Sequence, residues 1–317
     1  MSTIERAAKR LEELRRAGVD ISSFEPDAVP APTPAPVTAV TEDMSDVVTI
    51  RIPQLATDMP PMASSTMAEP SALPDRRSRE VELDLRRMSR SNLLVPGEPR
   101  SQLEEEFRII KRPLLENVRG QTAVRPHRAN LIMVTSAIPG EGKTQTAINL
   151  AVSIAMELDH TVLLVEADVL RPSVLERMGV SSQKGLLDLL SSKGMALSDV
   201  LLKTNIPKLT LLPAGTASSR STELLASTAM DDLLEELASK YADRVIIFDT
   251  PPLLSTTESR VLAAHMGQVV MVVESGKTPT SSVQQAFATV ESHPVVLSML
   301  NKYQGPKGKN TYGYYAP

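Results

Sequence analysis

Between residues 131 and 157 the chain changes character twice within a short distance, and that order limits the possible folds more than any other feature. Leu131 to Thr135 is a continuous apolar, β-branched run of the kind that makes a buried strand. It breaks into Ser136-Ala-Ile-Pro-Gly140-Glu-Gly142-Lys143-Thr144, and a helical pattern follows to Glu157. Strand, glycine-bearing loop, Lys-Thr and helix is the order that binds phosphate. Backbone N–H groups of the loop and helix start point at the anion, and the helix dipole adds positive potential. Gly140, Glu141, Gly142, Lys143, Thr144 and Gln145 are therefore the candidate nucleotide-binding residues. Lys143 is expected to reach the β- and γ-phosphates of ATP, and the Thr144 hydroxyl to ligate Mg2+. The consensus G-x-x-x-x-G-K-[ST] is met except at its first position, Ala137, where alanine is expected to carry a modest backbone cost.

The rest of the C-terminal two thirds repeats the same alternation. Apolar runs recur at 161–165, 209–212, 244–248, 268–273 and 295–300, separated by helical stretches such as 222–241. This predicts an α/β fold, a P-loop NTPase with a mostly parallel sheet covered by helices on both faces. Two of the runs end in carboxylates. Val162-Leu-Leu-Val-Glu166-Ala-Asp168 places Glu166 and Asp168 two residues apart, on one side of a strand at its C-terminal end, where ligands sit in open α/β sheets. Such carboxylates can hold magnesium waters or accept a proton from an attacking hydroxyl; ordinary capping by Asp168 is the simpler alternative. Val245-Ile-Ile-Phe-Asp249 has the form of a Walker B strand, with Asp249 bound toward magnesium.

The flanks differ in composition. Residues 2–16 read as a short amphipathic helix, with Ile4, Ala7, Ala8, Leu11 and Leu14 on one face, packed either on its own domain or on a partner or second copy. Ten of the 24 prolines fall between Pro26 and Pro74, so residues 21–79 read as a disordered linker. The arginine-rich stretch 76–100 is a solvated surface or a contact for acidic groups. Ser101 and Glu104 then open a helix that Pro113 is expected to end or kink. The formal net charge of −4 gives no reason to expect nucleic acid. The absence of cysteine excludes disulfides and thiol chemistry and suits a reducing compartment. Neither a signal peptide nor a membrane-length apolar run is present, so a cytoplasmic location is expected, with any membrane role supplied by a partner.

Four of the five tyrosines, Tyr303, Tyr312, Tyr314 and Tyr315, lie in the last 15 residues. That glycine-rich end has no packing use for so many rings. It is either an aromatic docking tail or a set of phosphoacceptors.

Taken together, Pro139-Gly-Glu-Gly-Lys-Thr144, Leu212-Pro-Ala-Gly215, Asp249-Thr-Pro-Pro252 and the tyrosine tail resemble the bacterial tyrosine autokinases of exopolysaccharide systems, in particular the subtype encoded beside exosortase systems. The resemblance is loose over 1–20 and good over about 100–317. It implies an N-terminal helix (1–20), a linker (21–79), a kinase domain (80–302) and a tyrosine tail (303–317). It further implies ATP-dependent autophosphorylation of Tyr303, Tyr312, Tyr314 and Tyr315 in trans, with Lys143, Glu166, Asp168 and Asp249 as catalytic residues and Thr144, Asp168 and Asp249 around the metal. Asn301 stands where related ATPases contact adenine. Glu105, Arg108 and Lys111 match a ring-forming E-x-x-R-x-x-R motif except for the final lysine. The implied partners are an inner-membrane polysaccharide co-polymerase or chain-length regulator, further copies in a homo-oligomeric ring, and a cognate phosphotyrosine phosphatase. Glu166 departs from the aspartate usual at that position, which puts its role as base in doubt. A MinD/ParA-type ATPase switch and a kinase-dead ATP-binding scaffold are the alternatives.

Overall fold

The computed structural model describes residues 79–122, 126–192, 194–240 and 244–304. The N-terminal helix, the linker up to residue 78, and Tyr312, Tyr314 and Tyr315 lie outside the described residues. The strands are β1 (Arg79–Val81), β2 (Leu131–Ser136), β3 (Thr161–Glu166), β4 (Leu202–Thr204), β5 (Leu209–Leu212), β6 (Arg244–Asp249), β7 (Gln268–Glu274) and β8 (Val296–Asn301). They form one sheet in the order β1-β4-β5-β3-β6-β2-β7-β8. Every pairing is parallel except β4 with β5. The six expected strands are all present, and the sheet gains two short ones, β1 and β4.

Strand alternation sorts the apolar side chains into two cores. Ile132, Val134, Val162, Leu164, Ile247 and Val270 face one way, packing with α2 (Gln102–Val118) and α3 (Lys143–Ala155). Leu131, Met133, Leu163, Val165, Ile246 and Phe248 face the other way, packing with α7 (Thr228–Lys240) and α8 (Glu258–His265). A sheet buried on both faces explains why β2 carries no exposed residue at all. The remaining helices are α1 (Leu85–Arg90), α4 (Val174–Arg177), α5 (Leu186–Ser191), α6 (Ser221–Leu225) and α9 (Thr280–Thr289).

The structure refines three local expectations. Helix α2 begins after Ser101, whose side chain accepts from the Glu104 N–H at 3.1 Å, but it runs through Pro113 to Val118. Leu114 and Leu115 are buried, Gln268 donates to the Leu114 carbonyl, and Asn117 donates to Gln268, so packing and hydrogen bonds hold the turn beyond the proline. The helix expected over 222–241 is two: Ser227 interrupts it, its hydroxyl accepting from the Met230 N–H to restart α7. In the arginine-rich stretch the described arginines are exposed, as a solvated surface requires, but the apolar residues between them join the core. The stretch supplies β1 and α1 and buries Leu83, Met88, Leu93 and Leu94.

Candidate functional site

The loop between β2 and α3 is shaped by two glycines. Gly140 and Gly142 have φ of 92° and 100°, the left-handed region that side chains resist. Ala137 is buried and keeps a negative φ, so the alanine carries no backbone cost, contrary to expectation. Gly142 is the N-cap of α3 and offers no side-chain cap, which leaves the first helical N–H groups free for an anion. Glu141 is not directed at a ligand. Its carboxylate accepts from the Ile138 N–H at 2.7 Å, from the Glu274 N–H at 3.2 Å and from the Thr278 hydroxyl, fastening the loop to the end of β7.

Three adjacent strands deliver the remaining groups to the same edge. Lys143 donates to Asp168 at 2.6 Å, and its Nζ is 3.4 Å from Thr144 Oγ1. The second Asp168 oxygen accepts from the Arg171 N–H at 3.2 Å, so this carboxylate both caps a turn and pairs the lysine. Asp249 ends β6 beside β2, in register with Val134, and the Thr250 N–H and hydroxyl both bond to the Val134 carbonyl. Asp249 is fully buried, and neither of its oxygens has a hydrogen-bond partner. Burial raises its pKa to about 7, against the pull of the Lys143 charge and of the nearby Thr144 hydroxyl. An unpartnered buried carboxylate next to Thr144 is the donor set that a hard divalent cation would complete. Among the described residues no group of three or more acidic or histidine side chains forms a cage. Such a cage is not required where Mg2+ takes one or two carboxylates plus substrate phosphates.

Glu166 stands apart. Its Oε1 accepts from the Val174 N–H at 2.6 Å and its Oε2 from the Ala214 N–H at 3.3 Å, tying the start of α4 to the chain that leaves β5. Burial pushes its carboxyl above the usual range, and these amides pull it back. Glu166 feels the Asp168 charge, yet its carboxylate is spent on backbone amides and is not bonded to Lys143 as Asp168 is. A cleft of about 650 Å3 runs along the loop, lined by Lys143, Thr144, Asp168, Arg171, Pro251 and Lys302 among others, and Glu166 lines a different, smaller cavity.

Gln145 borders the cleft but spends its amide on the Asn92 carbonyl at 3.1 Å. The Asn301 amide donates to the Glu141 carbonyl at 2.8 Å. Lys302, which sequence reasoning passed over, donates to the Gly140 carbonyl at 2.6 Å and to Glu274 at 3.1 Å. A lone lysine after a strand carries no sequence signal for that contact. Tyr303 follows it, 59% exposed. In the ring-motif match, Glu105 and Arg108 pair with each other at 3.1 Å. Lys111 is buried, bonded to the Ser153 carbonyl and to Glu157, so it is committed within the chain.

A family model described as "AAA domain" matches residues 129–297. The tyrosine-protein kinase YwqD of Bacillus subtilis is 32% identical over 232 residues, which cover 72% of this chain and 92% of that protein. The chain belongs to the bacterial tyrosine-protein kinase family. The tyrosine-protein kinase wzc of Salmonella typhimurium is 27% identical, but the match spans only 31% of that protein's length. The solved kinase domain of the Escherichia coli tyrosine kinase ETK aligns with a TM-score of 0.59 at 25% identity, covering 71% of this chain and 86% of that one. The mostly parallel sheet, the phosphate-binding loop and the kinase-family match make the cleft of this tyrosine-kinase homologue a nucleotide site. Among the described residues no helix is long and apolar enough to cross a membrane.

Proposed function

We propose that this member of the tyrosine-kinase family moves the γ-phosphate of ATP onto tyrosine hydroxyls, chiefly those at the C-terminal ends of neighbouring copies. The observation that carries the reading is the convergence of Lys143, Thr144, Asp168 and the unpartnered Asp249 at the edge of the phosphate-binding loop. Lys143 leaves Asp168 for the β- and γ-phosphates and neutralises charge as it develops. Thr144 and Asp249 would hold Mg2+, with Asp168 on the metal side, and the ion would supply neutralisation of phosphate charge. Asp168 is the one carboxylate among the residues lining the cleft, and it takes the phenolic proton as the tyrosine oxygen bonds to phosphorus and the bond to ADP breaks. Glu166, with both oxygens bonded to buried amides, shapes the wall instead.

Tyr312, Tyr314 and Tyr315 lie 11 to 14 residues beyond Asn301. At ~3.3 Å per extended residue that chain spans roughly 35–45 Å, enough to enter a neighbour's cleft. Each phosphate adds up to about −2 charge and loosens any ring the copies form. The partners would be an inner-membrane polysaccharide co-polymerase, which recruits the chain to the membrane, and a phosphatase that resets the tail. The output would be control of exopolysaccharide polymerisation or export. The test mixes full-length Lys143→Met with an active chain truncated before Tyr303, in magnesium and ATP, and maps phosphotyrosine. Label on Tyr312, Tyr314 or Tyr315 of the inactive chain is expected. Label on intact wild type but none in the mixture rules out transfer between chains. No label on wild type leaves an ATP-binding scaffold.

A further inference from the structure

Three consecutive residues of the phosphate-binding loop are gripped from outside by Asn301, which ends β8, and by Lys302 just after it. Lys302 donates to the Gly140 carbonyl at 2.6 Å and is braced by Glu274 at 3.1 Å. The Asn301 side chain donates to the Glu141 carbonyl at 2.8 Å, and its Oδ1 accepts from the Lys302 N–H at 2.9 Å. Asn301 also packs so closely on Gly142 that a Cβ there would lie 2.2 Å from Nδ2. Lys302 itself has a φ of 56°, a left-handed conformation uncommon for residues other than glycine.

The peptide unit is planar and trans, so its N–H points opposite to its C=O. Holding the Gly140 carbonyl therefore aims the Glu141 N–H away from Lys302. Holding the Glu141 carbonyl aims the Gly142 N–H away from Asn301. Neither N–H has an acceptor among the described residues. An anion cradle works through such free, fixed N–H groups, and its strength depends on their being aimed before the ligand arrives.

We infer that Asn301 and Lys302 form an outer clamp that sets the direction of the loop N–H groups, with Lys302 a positioning residue for nucleotide phosphate. The inference rests on the nucleotide reading of the cleft and not on tyrosine as acceptor. It assigns Asn301 to the loop backbone rather than to a base. It also places the root of the tyrosine tail, Tyr303, directly after the residue that grips the loop.

The test measures Mg2+-ADP binding to the full-length chain by calorimetry, beside thermal melting and steady-state phosphotransfer. Lys302→Met keeps the stem and removes the donor. Loss of one charge-assisted hydrogen bond predicts roughly tenfold weaker ADP binding. KM for ATP should rise with kcat nearly unchanged, the melting temperature should hold, and Lys302→Arg should restore binding. Asn301→Ala should weaken ADP in the same direction and decides the matter if Lys302→Met fails to fold. Unchanged ADP affinity in the Lys302→Met chain, or equal loss in the Met and Arg variants, overturns the clamp. A wild type that binds ADP but makes no phosphotyrosine sinks the kinase reading and leaves the clamp standing.

Discussion

Glu166 at the end of β3 and Asp249 at the end of β6 are neighbours in the sheet, paired in register across two parallel strands. Both are buried carboxylates, both have pKa values raised chiefly by burial, and both follow apolar runs of similar sequence. Their environments are opposite. Glu166 is satisfied by the Val174 and Ala214 amides, whereas Asp249 has no partner for either oxygen. A buried charge without a partner is costly, so a fold keeps one where a ligand completes it. A buried carboxylate that accepts two backbone N–H groups already has its use in the fold. Side by side, the two strand ends separate a ligand-completed site from a structural strut at the same edge of one sheet.

The largest effect that sharpens this contrast is on turnover. Asp249→Asn keeps the shape and removes the charge. It should slow tyrosine phosphorylation a hundredfold or more, about 3 kcal/mol of lost transition-state stabilisation. The same change should leave the ligand-free protein no less stable at pH 8, since an unpaired buried charge is gone. A kinase assay beside thermal melting checks both halves, and a variant that stays active would end the metal-site assignment.

Next in size is the pH dependence of the ligand-free fold. The Asp249 carboxyl titrates at about 7 when folded and at 3.8 as an unperturbed group. Between those values the native state holds a proton that the unfolded chain has released. Stability from this group is therefore full below about pH 4 and falls as pH rises to about 7. The loss is on the order of a few kcal/mol. Urea melts at pH 4.5 and 7.5 should show a steeper decline for wild type than for Asp249→Asn, and equal slopes would contradict an orphaned Asp249. Mg2+-nucleotide binding should release a proton in the same window.

The smallest expected effect belongs to Glu166. Glu166→Ala strands two buried amides and should lower unfolding free energy by about 2 kcal/mol or more. Glu166→Asp, one carbon shorter, should recover only part of that stability. If instead Glu166→Ala keeps full stability and loses phosphotransfer a hundredfold, Glu166 is the base and the contrast between the strand ends collapses.

The sequence alone determined the parts whose physics is local. A strand, two glycines, Lys143-Thr144 and a helix start specify an anion cradle within about 14 consecutive residues, and the structure has it in that place. Apolar runs long enough for buried strands gave the six principal strands, and the aspartate that ends β6 fell beside the loop. What only the tertiary structure decided was the fate of polar groups whose partners are far along the chain. Glu166 meets Ala214 across 48 residues, Lys111 meets Ser153 across 42, and Lys302 meets Gly140 across 162. Pro113 reads locally as a stop or a kink, and the buried Leu114 and Leu115 carry α2 past it. A side chain's chemistry is written in its residue type, but whether that chemistry is free or spent depends on which distant backbone groups the fold brings within about 3 Å.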